Sequence, residues 1–296
     1  MPRRTPVPPE LSAGPFRTAE AVGLVGRSAL AGPSYRRLLR GVHQAADLPV
    51  DHGTMIEAVR ADGSSGVLCG PSAAWALGCR LADPDEPVHL TTGRDGTGGD
   101  SRLITRYRMD VPGRDLVDTR AGVATSPART AVDLARGVGT LGLPFHRRVA
   151  WIDALLRATG LRAADARRAA VGAAGRHGRG ESQRVLRAAR DGVDSPKETE
   201  LRLLVVRFGF PEPQVQCPVV DRDGTTIASL DLGWRRRMTG LEYDGSVHLE
   251  AQQHGHDLSR LNEVRSIGWH VLQVDRYGLR RPGRWLRQLA ARVPRR

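Results

Sequence analysis

Apolar and polar residues alternate with different periods along this chain, and the changes of period mark its elements. From Phe16 to about Val42 the spacing predicts a short helix capped by Thr18 and running through Val22. A turn follows at Gly26, then a second helix start at Ser28 that Gly32-Pro33 ends. Residues 35–43 read as the rest of a helix–turn–helix segment passing into a basic strand or wing. Residues 52–80 read as helix, loop, helix, with 68–78 as a buried helix starting near Pro71 or Ser72. Strand alternation appears at 88–92 and 102–109, separated by a Gly-rich loop over 93–99. Residues 123–135 combine a strand end, a Ser126 cap, Pro127 at the first helical position and a helix. Helical spacing recurs at 145–158 and 161–190.

A new unit opens at Ser195. This serine is a natural N-cap, Pro196 suits the first helical position, and Glu198 completes a capping box. The helix passes Leu201, Leu204, Val205 and Phe208 and stops at Gly209. Strands over 215–220 and 227–234 flank the turn Asp221-Arg222-Asp223-Gly224. Arg235-Arg236-Arg237 forms the next connection, leading into a short strand over 239–243. A helix over 257–267, a strand over 269–274 and a helix over 284–293 complete the unit. That order predicts a small α/β sandwich. The resulting division is an arm without fixed structure over 1–14, a DNA-binding-like region over 15–50, an α+β companion over 51–150, a helical connector over 151–194 and a last domain over 195–296.

Composition adds a partner class. The 296 residues are 40% hydrophobic, enough for two or three small cores. The formal charge is +13, and lysine occurs only at Lys197, so arginine supplies nearly all of it. Arginine presents a planar fork to phosphates and base edges, which favours nucleic acid or another anionic partner. An arginine-rich coding bias is the plainer explanation of the same choice. Cys69, Cys79 and Cys217 lack metal or disulfide spacing, which suits a reducing compartment. No stretch has the length of a bilayer span, and the first residues lack an apolar signal core. The expected location is cytoplasmic, with no membrane partner. His43, His52, His89 and His146 share no metal spacing and read as structural or surface residues.

The candidate chemistry lies in the last third. Asp231 near the end of one strand and Glu242 on the next are expected to converge at a sheet edge and hold Mg²⁺ or Mn²⁺ through carboxylate oxygens. Glu200 would contribute from the preceding helix. His248 would act as acid or base, Asp257 would support it, and Arg260 would hold the scissile phosphate. Each has a plain structural alternative: a turn aspartate, an edge-strand glutamate, a surface ion pair. Glu242 and Asp244 share a strand face that could simply be wet. Arg36, Arg37, Arg40, Arg235, Arg236 and Arg237 are candidate phosphate contacts.

Residues 195–294 resemble the very-short-patch-repair-like branch of the restriction-endonuclease-like, PD-(D/E)xK, superfamily. The likeness rests on Ser195-Pro196 with Glu198 and Glu200, on Asp231-Leu232, and on Leu241-Glu242-Tyr243-Asp244-Gly245 with His248. Asp257, Arg260, Leu261 and Gly268-Trp269-His270-Val271 complete it. The resemblance implies a restriction-endonuclease-like α/β sandwich with a central mixed sheet. It makes Asp231 and Glu242 the metal-binding acids and Glu200 the helix acid. Asp244 stands where the superfamily usually has lysine, leaving His248 or Arg260 as substitutes. Residues 10–150 resemble the AbiEi-type antitoxins, their winged-helix segment matching 16–42, which implies a mainly helical winged-helix and α+β region that binds DNA. The expected activity is a divalent-metal-dependent DNA endonuclease; the alternative is a non-catalytic DNA-binding regulator or antitoxin-like protein. DNA is the expected partner, with a homodimer and a cognate toxin also compatible.

Overall fold

The computed structural model describes residues 4–93, 99–100, 102–172, 179–245 and 260–296. The chain has a mixed α/β architecture with three sheets. It forms two compact units, one of Met1–Gly142 with Arg168–Ser182 and one of Leu143–Arg167 with Gln183–Arg296. His248 and Asp257 lie outside the described residues, as do the positions 94–98 of the expected loop.

Unit one begins with β1 (Phe16–Arg17), α1 (Thr18–Leu30), β2 (Tyr35–Leu39) and β3 (Val42–Ala45), whose strands form a sheet in the order β1-β3-β2. The turn expected at Gly26 is a break inside α1, where φ is +76° and ψ is 158°. Arg17, not Thr18, is the N-cap, and its amide donates to Glu20 Oε2 at 3.0 Å. Residues 35–45 contain no helix. Gly41, at φ +80°, lets β2 and β3 fold back as a hairpin. A register irregularity between Arg37 and Leu39 bends β2, and Arg36 and Arg37 both face solvent. Leu11, Phe16, Ala21, Leu30 and Tyr35 form the core beneath. The arm expected over 1–14 is therefore corrected for its described part: Leu11 is buried there, and the Thr5 amide donates to Ser34 Oγ at 2.8 Å.

The rest of unit one is a six-stranded sheet in the order β6-β7-β5-β4-β9-β8. Its strands are β4 (Val67–Leu68), β5 (Val88–Thr91), β6 (Gly99–Asp100), β7 (Ile104–Tyr107), β8 (Leu116–Thr119) and β9 (Gly122–Thr125). Helices α2 (His52–Ala61), α3 (Gly70–Ala76) and α4 (Pro127–Arg136) accompany it. Leu68 is a strand residue rather than the start of a helix. Gly70 intervenes at φ +51°, and a Cβ there would stand 2.8 Å from the Val138 carbonyl oxygen. Ser126 caps α4 as expected, accepting from the Arg129 amide at 3.4 Å. His52 and His89 are both buried and meet at Ser72: His52 Nε2 is 2.8 Å from Ser72 Oγ, which also accepts from the His89 amide at 2.8 Å.

Unit two starts in α5 (Phe145–Thr159); α6 (Ala163–Gly172) and α7 (Arg179–Ala188) follow in the chain. Next come α8 (Pro196–Arg207), β10 (Gln214–Val220), β11 (Thr226–Trp234) and β12 (Thr239–Tyr243). A helix whose described part is 260–266 (α9), β13 (His270–Val274), α10 (Arg276–Arg280) and α11 (Gly283–Ala290) complete it. The sheet order is β10-β11-β12-β13; the first two pairings are antiparallel and the last is parallel. Leu201 and Val205 of α8 share one core with Leu232, Leu241, Leu279 and Trp285. Leu261 and Val264 of α9 share the other with Cys217, Val219, Leu230 and Val271.

The strands β10 and β11 change faces together. Residues two apart on a strand normally point the same way. Val215 nevertheless packs with the α8 core and Cys217 with the α9 core, and their partners Leu232 and Leu230 divide likewise. The residues between them are Gln216 and Asp231. Gln216 has φ +45°, a left-handed conformation uncommon for a side chain of its size and out of place in a strand.

Candidate functional site

Asp231 is placed by this irregularity. The β11–β12 ladder pairs Leu232 with Leu241, and the next positions along are Asp231 and Glu242. The ladder ends before them, and the charge of Glu242 still acts on the Asp231 carboxyl, so the two acids lie near one another beyond its last pair. Asp231 Oδ2 accepts from the Tyr243 amide at 2.7 Å. Its carboxylate thus replaces a ladder carbonyl and fixes the strand ends. Glu242 is only 7% exposed, so its face is not the wet side of the strand. Its Oε1 lies 2.9 Å from Arg260 Nη1, and the same Nη1 donates to the Ser229 carbonyl at 3.3 Å.

On α8 the buried acid is Glu198, while Glu200 lies on another side of the helix. Successive residues on a helix turn by about 100°, so Glu198 and Glu200 project roughly 200° apart. Glu198 shares the buried face with Leu201, Arg202 and Val205, whereas Glu200 pairs with Lys197 at 2.7 Å. The expected capping box is half formed. The Glu198 amide donates to Ser195 Oγ at 3.2 Å, but Glu198 Oε2 accepts from the Asp194 amide at 3.1 Å. Gln216 Nε2 donates to that same Oε2 at 3.2 Å, while Gln216 Oε1 accepts from Ser229 Oγ at 3.1 Å. Gln216 therefore joins the helix acid to the strand that carries Asp231.

The electrostatics bind these groups further. Burial pushes the Asp231 carboxyl above its ordinary range. The Tyr243 amide and Arg260 oppose that shift, and the charge of Glu242 adds to it. Burial also raises Glu198, and the charge of Asp231 raises it again. The Tyr243 amide meets Oδ2 of Asp231, and no hydrogen bond to its Oδ1 is found among the described residues. Carboxylate oxygens of this kind match the hard-cation chemistry of Mg²⁺. A cation would offset the burial cost that chiefly holds their pKa values up, and the mutual repulsion that adds to it. Among the described residues, no three of His, Cys, Asp or Glu are grouped so as to hold a metal ion. The donor chemistry therefore fits a divalent ion, while the cluster is not closed around one.

The remaining expected residues are distributed as follows. Asp244 is exposed, and its amide extends the parallel ladder by donating to the Val274 carbonyl at 3.0 Å. Arg260 meets Glu242, as described. Arg36, Arg37 and Arg40 are exposed on the hairpin of unit one. Arg235–Arg237 form an exposed 3-10 turn between β11 and β12, at the end of β12 away from Glu242. Sequence reasoning passed over Glu198 and Gln216 as functional residues. For Glu198 the signal was present, because its spacing to Leu201 and Val205 puts it on the apolar face of α8. For Gln216 no sequence signal announces the positive φ.

No family model matches the chain. It is 28% identical over 240 residues to Uncharacterized protein MT2308 of Mycobacterium tuberculosis (strain CDC 1551 / Oshkosh), covering 80% of each chain. The same identity and coverage, 28% over 240 residues and 80% of each chain, relate it to Uncharacterized protein Rv2248 of Mycobacterium tuberculosis (strain ATCC 25618 / H37Rv). Among solved structures it is similar to the RV2827C protein from Mycobacterium tuberculosis, with a TM-score of 0.40 and 15% identity over 64% of this chain and 75% of that one.

Proposed function

We propose that unit two is a restriction-endonuclease-like domain that hydrolyses DNA phosphodiester bonds with a divalent metal, and that the first hairpin region of unit one is a winged helix that binds DNA. The observation that carries the first reading is the mutual influence of three buried or half-buried acids, with the Glu242 charge acting on Asp231 and the Asp231 charge acting on Glu198. The helix–strand–strand–strand–helix–strand order of unit two agrees with the family resemblance of residues 195–294. For the second reading the support is the broken helix α1 followed by a basic hairpin.

In this reading Asp231 and Glu242 hold the ion and Glu198 orients its water ligands. The ion, when bound, supplies Lewis-acid activation of a phosphoryl oxygen and of water. Gln216 holds the Glu198 carboxylate, and the Tyr243 amide holds that of Asp231. Arg260, drawn from Glu242 toward substrate, would carry charge on the scissile phosphate. His248 would move a proton to or from water or the leaving oxygen, with Asp257 supporting it. The exposed arginines of the hairpin would meet flanking phosphates.

A second reading, a non-catalytic DNA-binding regulator or antitoxin-like protein with DNA, a second copy or a toxin as partner, is favoured by one observation. Arg260 already occupies a Glu242 oxygen, as it would in a site that holds no metal. The two readings separate on purified full-length protein mixed with plasmid, mismatched duplex and single-stranded DNA, in Mg²⁺ or Mn²⁺ against chelator. Metal-dependent cleavage that disappears in D231A and E242A supports the nuclease. Intact DNA in every case, with duplex binding retained, supports the regulator.

A further inference from the structure

We propose that the Arg235–Arg237 turn, α11 and the residues after α11 form an anchoring surface for the phosphate backbone of DNA, separate from the acidic site. It deepens the DNA-directed reading of unit two but needs no cleavage. Residues 276–296 contain eight arginines and no aspartate or glutamate. All eight are exposed, as are Arg235, Arg236 and Arg237. Among the described residues, none of these eleven arginines stands within ion-pair distance of a carboxylate. This contrasts with Arg129, Arg190 and Arg202, each of which is paired.

The fold gathers these charges on rigid supports. α11 buries Trp285, Leu286 and Leu289 and turns Arg284 and Arg287 to solvent. The Trp285 indole N–H donates to the Gly278 carbonyl at 3.0 Å, which pins α11 to α10. Beyond α11, Val293 and Pro294 line a cleft of about 330 Å³ together with Trp234, Arg235, Arg236, Arg237 and Glu212, whose carboxylate is already held by Arg190 and Arg202. The field of this end is felt at His270, whose pKa burial lowers and the charges of Arg292 and Arg265 lower further.

The location separates the turn from the acids, whereas Arg276 follows β13 at the end where Val274 pairs with Tyr243 and lies on the acids' side. The arginine turn precedes β12, which starts at Thr239, and Glu242 lies three residues further on. At about 3.3 Å per residue this is roughly 10 Å along the strand. A phosphate held at the turn is therefore not the one that Asp231 and Glu242 would address. Like charges gathered without counter-charges repel one another, and a bound polyanion relieves that cost. Guanidinium groups spread over a turn and a helix match a row of phosphates better than one small anion. Met238 beside the turn and Tyr277 on α10 are the large apolar side chains exposed on these elements, too few for seating on a bilayer.

The test is binding of a labelled DNA duplex to the full chain, followed by fluorescence anisotropy in EDTA across a salt series. The variant R236Q/R237Q/R287Q/R292Q should bind at least tenfold more weakly at moderate salt. Its plot of log K against log salt should be shallower by about 0.9 for each phosphate that the variant leaves unneutralised. The corresponding all-lysine variant should keep the parent slope. Unchanged affinity and slope in the glutamine variant overturn the proposal. So does loss of binding to phosphatidylglycerol vesicles with duplex binding intact, which would assign the surface to a membrane. If the glutamine variant does not melt like the parent, the pairs R236Q/R237Q and R287Q/R292Q decide on the same two readouts. A parent that binds through these arginines yet cuts nothing would sink the nuclease reading alone.

Discussion

Gln216 donates through Nε2 to Glu198 Oε2 at 3.2 Å, so a strand residue in a left-handed conformation holds the acid at the start of α8. Two consequences can be measured, one for each residue of the pair.

For Glu198 the consequence concerns activity. If metal-dependent cleavage is found, E198Q should slow it by about a hundredfold, near 3 kcal/mol of transition-state stabilisation. E200Q should stay within about twofold, because Glu200 faces Lys197 on another side of the helix. Single-turnover rates on one DNA substrate measure both. A larger loss in E200Q than in E198Q would return the helix role to Glu200.

For Gln216 the consequence concerns strain. A left-handed backbone costs a side chain of this kind on the order of 1 kcal/mol. In an ordinary strand glycine is less stable than alanine. At this position the order should reverse, with Q216G more stable than Q216A by about 1 kcal/mol. Both lose the link between Glu198 and Ser229, and both should cleave more slowly than the parent. Urea unfolding of the two variants gives the comparison, and Q216A equal to or above Q216G would refute the strain.

Much of this was legible in the sequence, and what was missed has a common cause. The Ser195 cap and the strand Thr239–Tyr243 follow from local rules of capping and alternation. The face switch at Gln216 does not, because it depends on two cores competing for one strand pair. The choice of Glu198 over Glu200 was readable from helix periodicity, but the capping-box reading assigned its carboxylate to Ser195 rather than Asp194. The hairpin of residues 35–45 was half legible: its basic wing was expected, its lack of helix was not. Tertiary packing of Tyr35 against Phe16, with ring centroids 5.9 Å apart, decided that segment.

The residues 151–194 read as a connector, yet Asp153 is tied into unit two by a buried charge network. Arg202 Nη2 lies 3.2 Å from Asp153 Oδ2, and Arg202 Nη1 lies 2.8 Å from Glu212 Oε1. Thr199 Oγ1 also donates to Asp153 at 2.8 Å, while Arg202 Nε is buried without a partner. Breaking such a pair leaves a charge stranded. D153A or R202A should therefore cost about 3–5 kcal/mol. The apolar double variant D153L/R202M should cost less than either single change, since it strands no charge. Denaturant titration by tryptophan fluorescence tests this, and a double variant less stable than both singles would contradict it.

His52 sets a pH limit on unit one. Its ring is fully buried, Nε2 meets Ser72 Oγ at 2.8 Å, and Nδ1 has no partner. Burial, followed by the charge of nearby His89, pushes its pKa from 6.5 down to about 4, against the opposing charge and backbone carbonyl of Glu86 and the charge of Asp51. Above the unfolded value neither state carries the proton, and stability is unaffected. As pH falls from there toward the folded value, the unfolded chain takes up a proton that the folded one refuses. The folded state should lose on the order of 3 kcal/mol across that window. H52Q has no proton to gain and can still donate toward Ser72, so its melting temperature should fall less over the same range. The difference between the two melting curves isolates this residue from the carboxylates that titrate nearby, and parallel curves for parent and H52Q would exclude it as the acid-sensitive group.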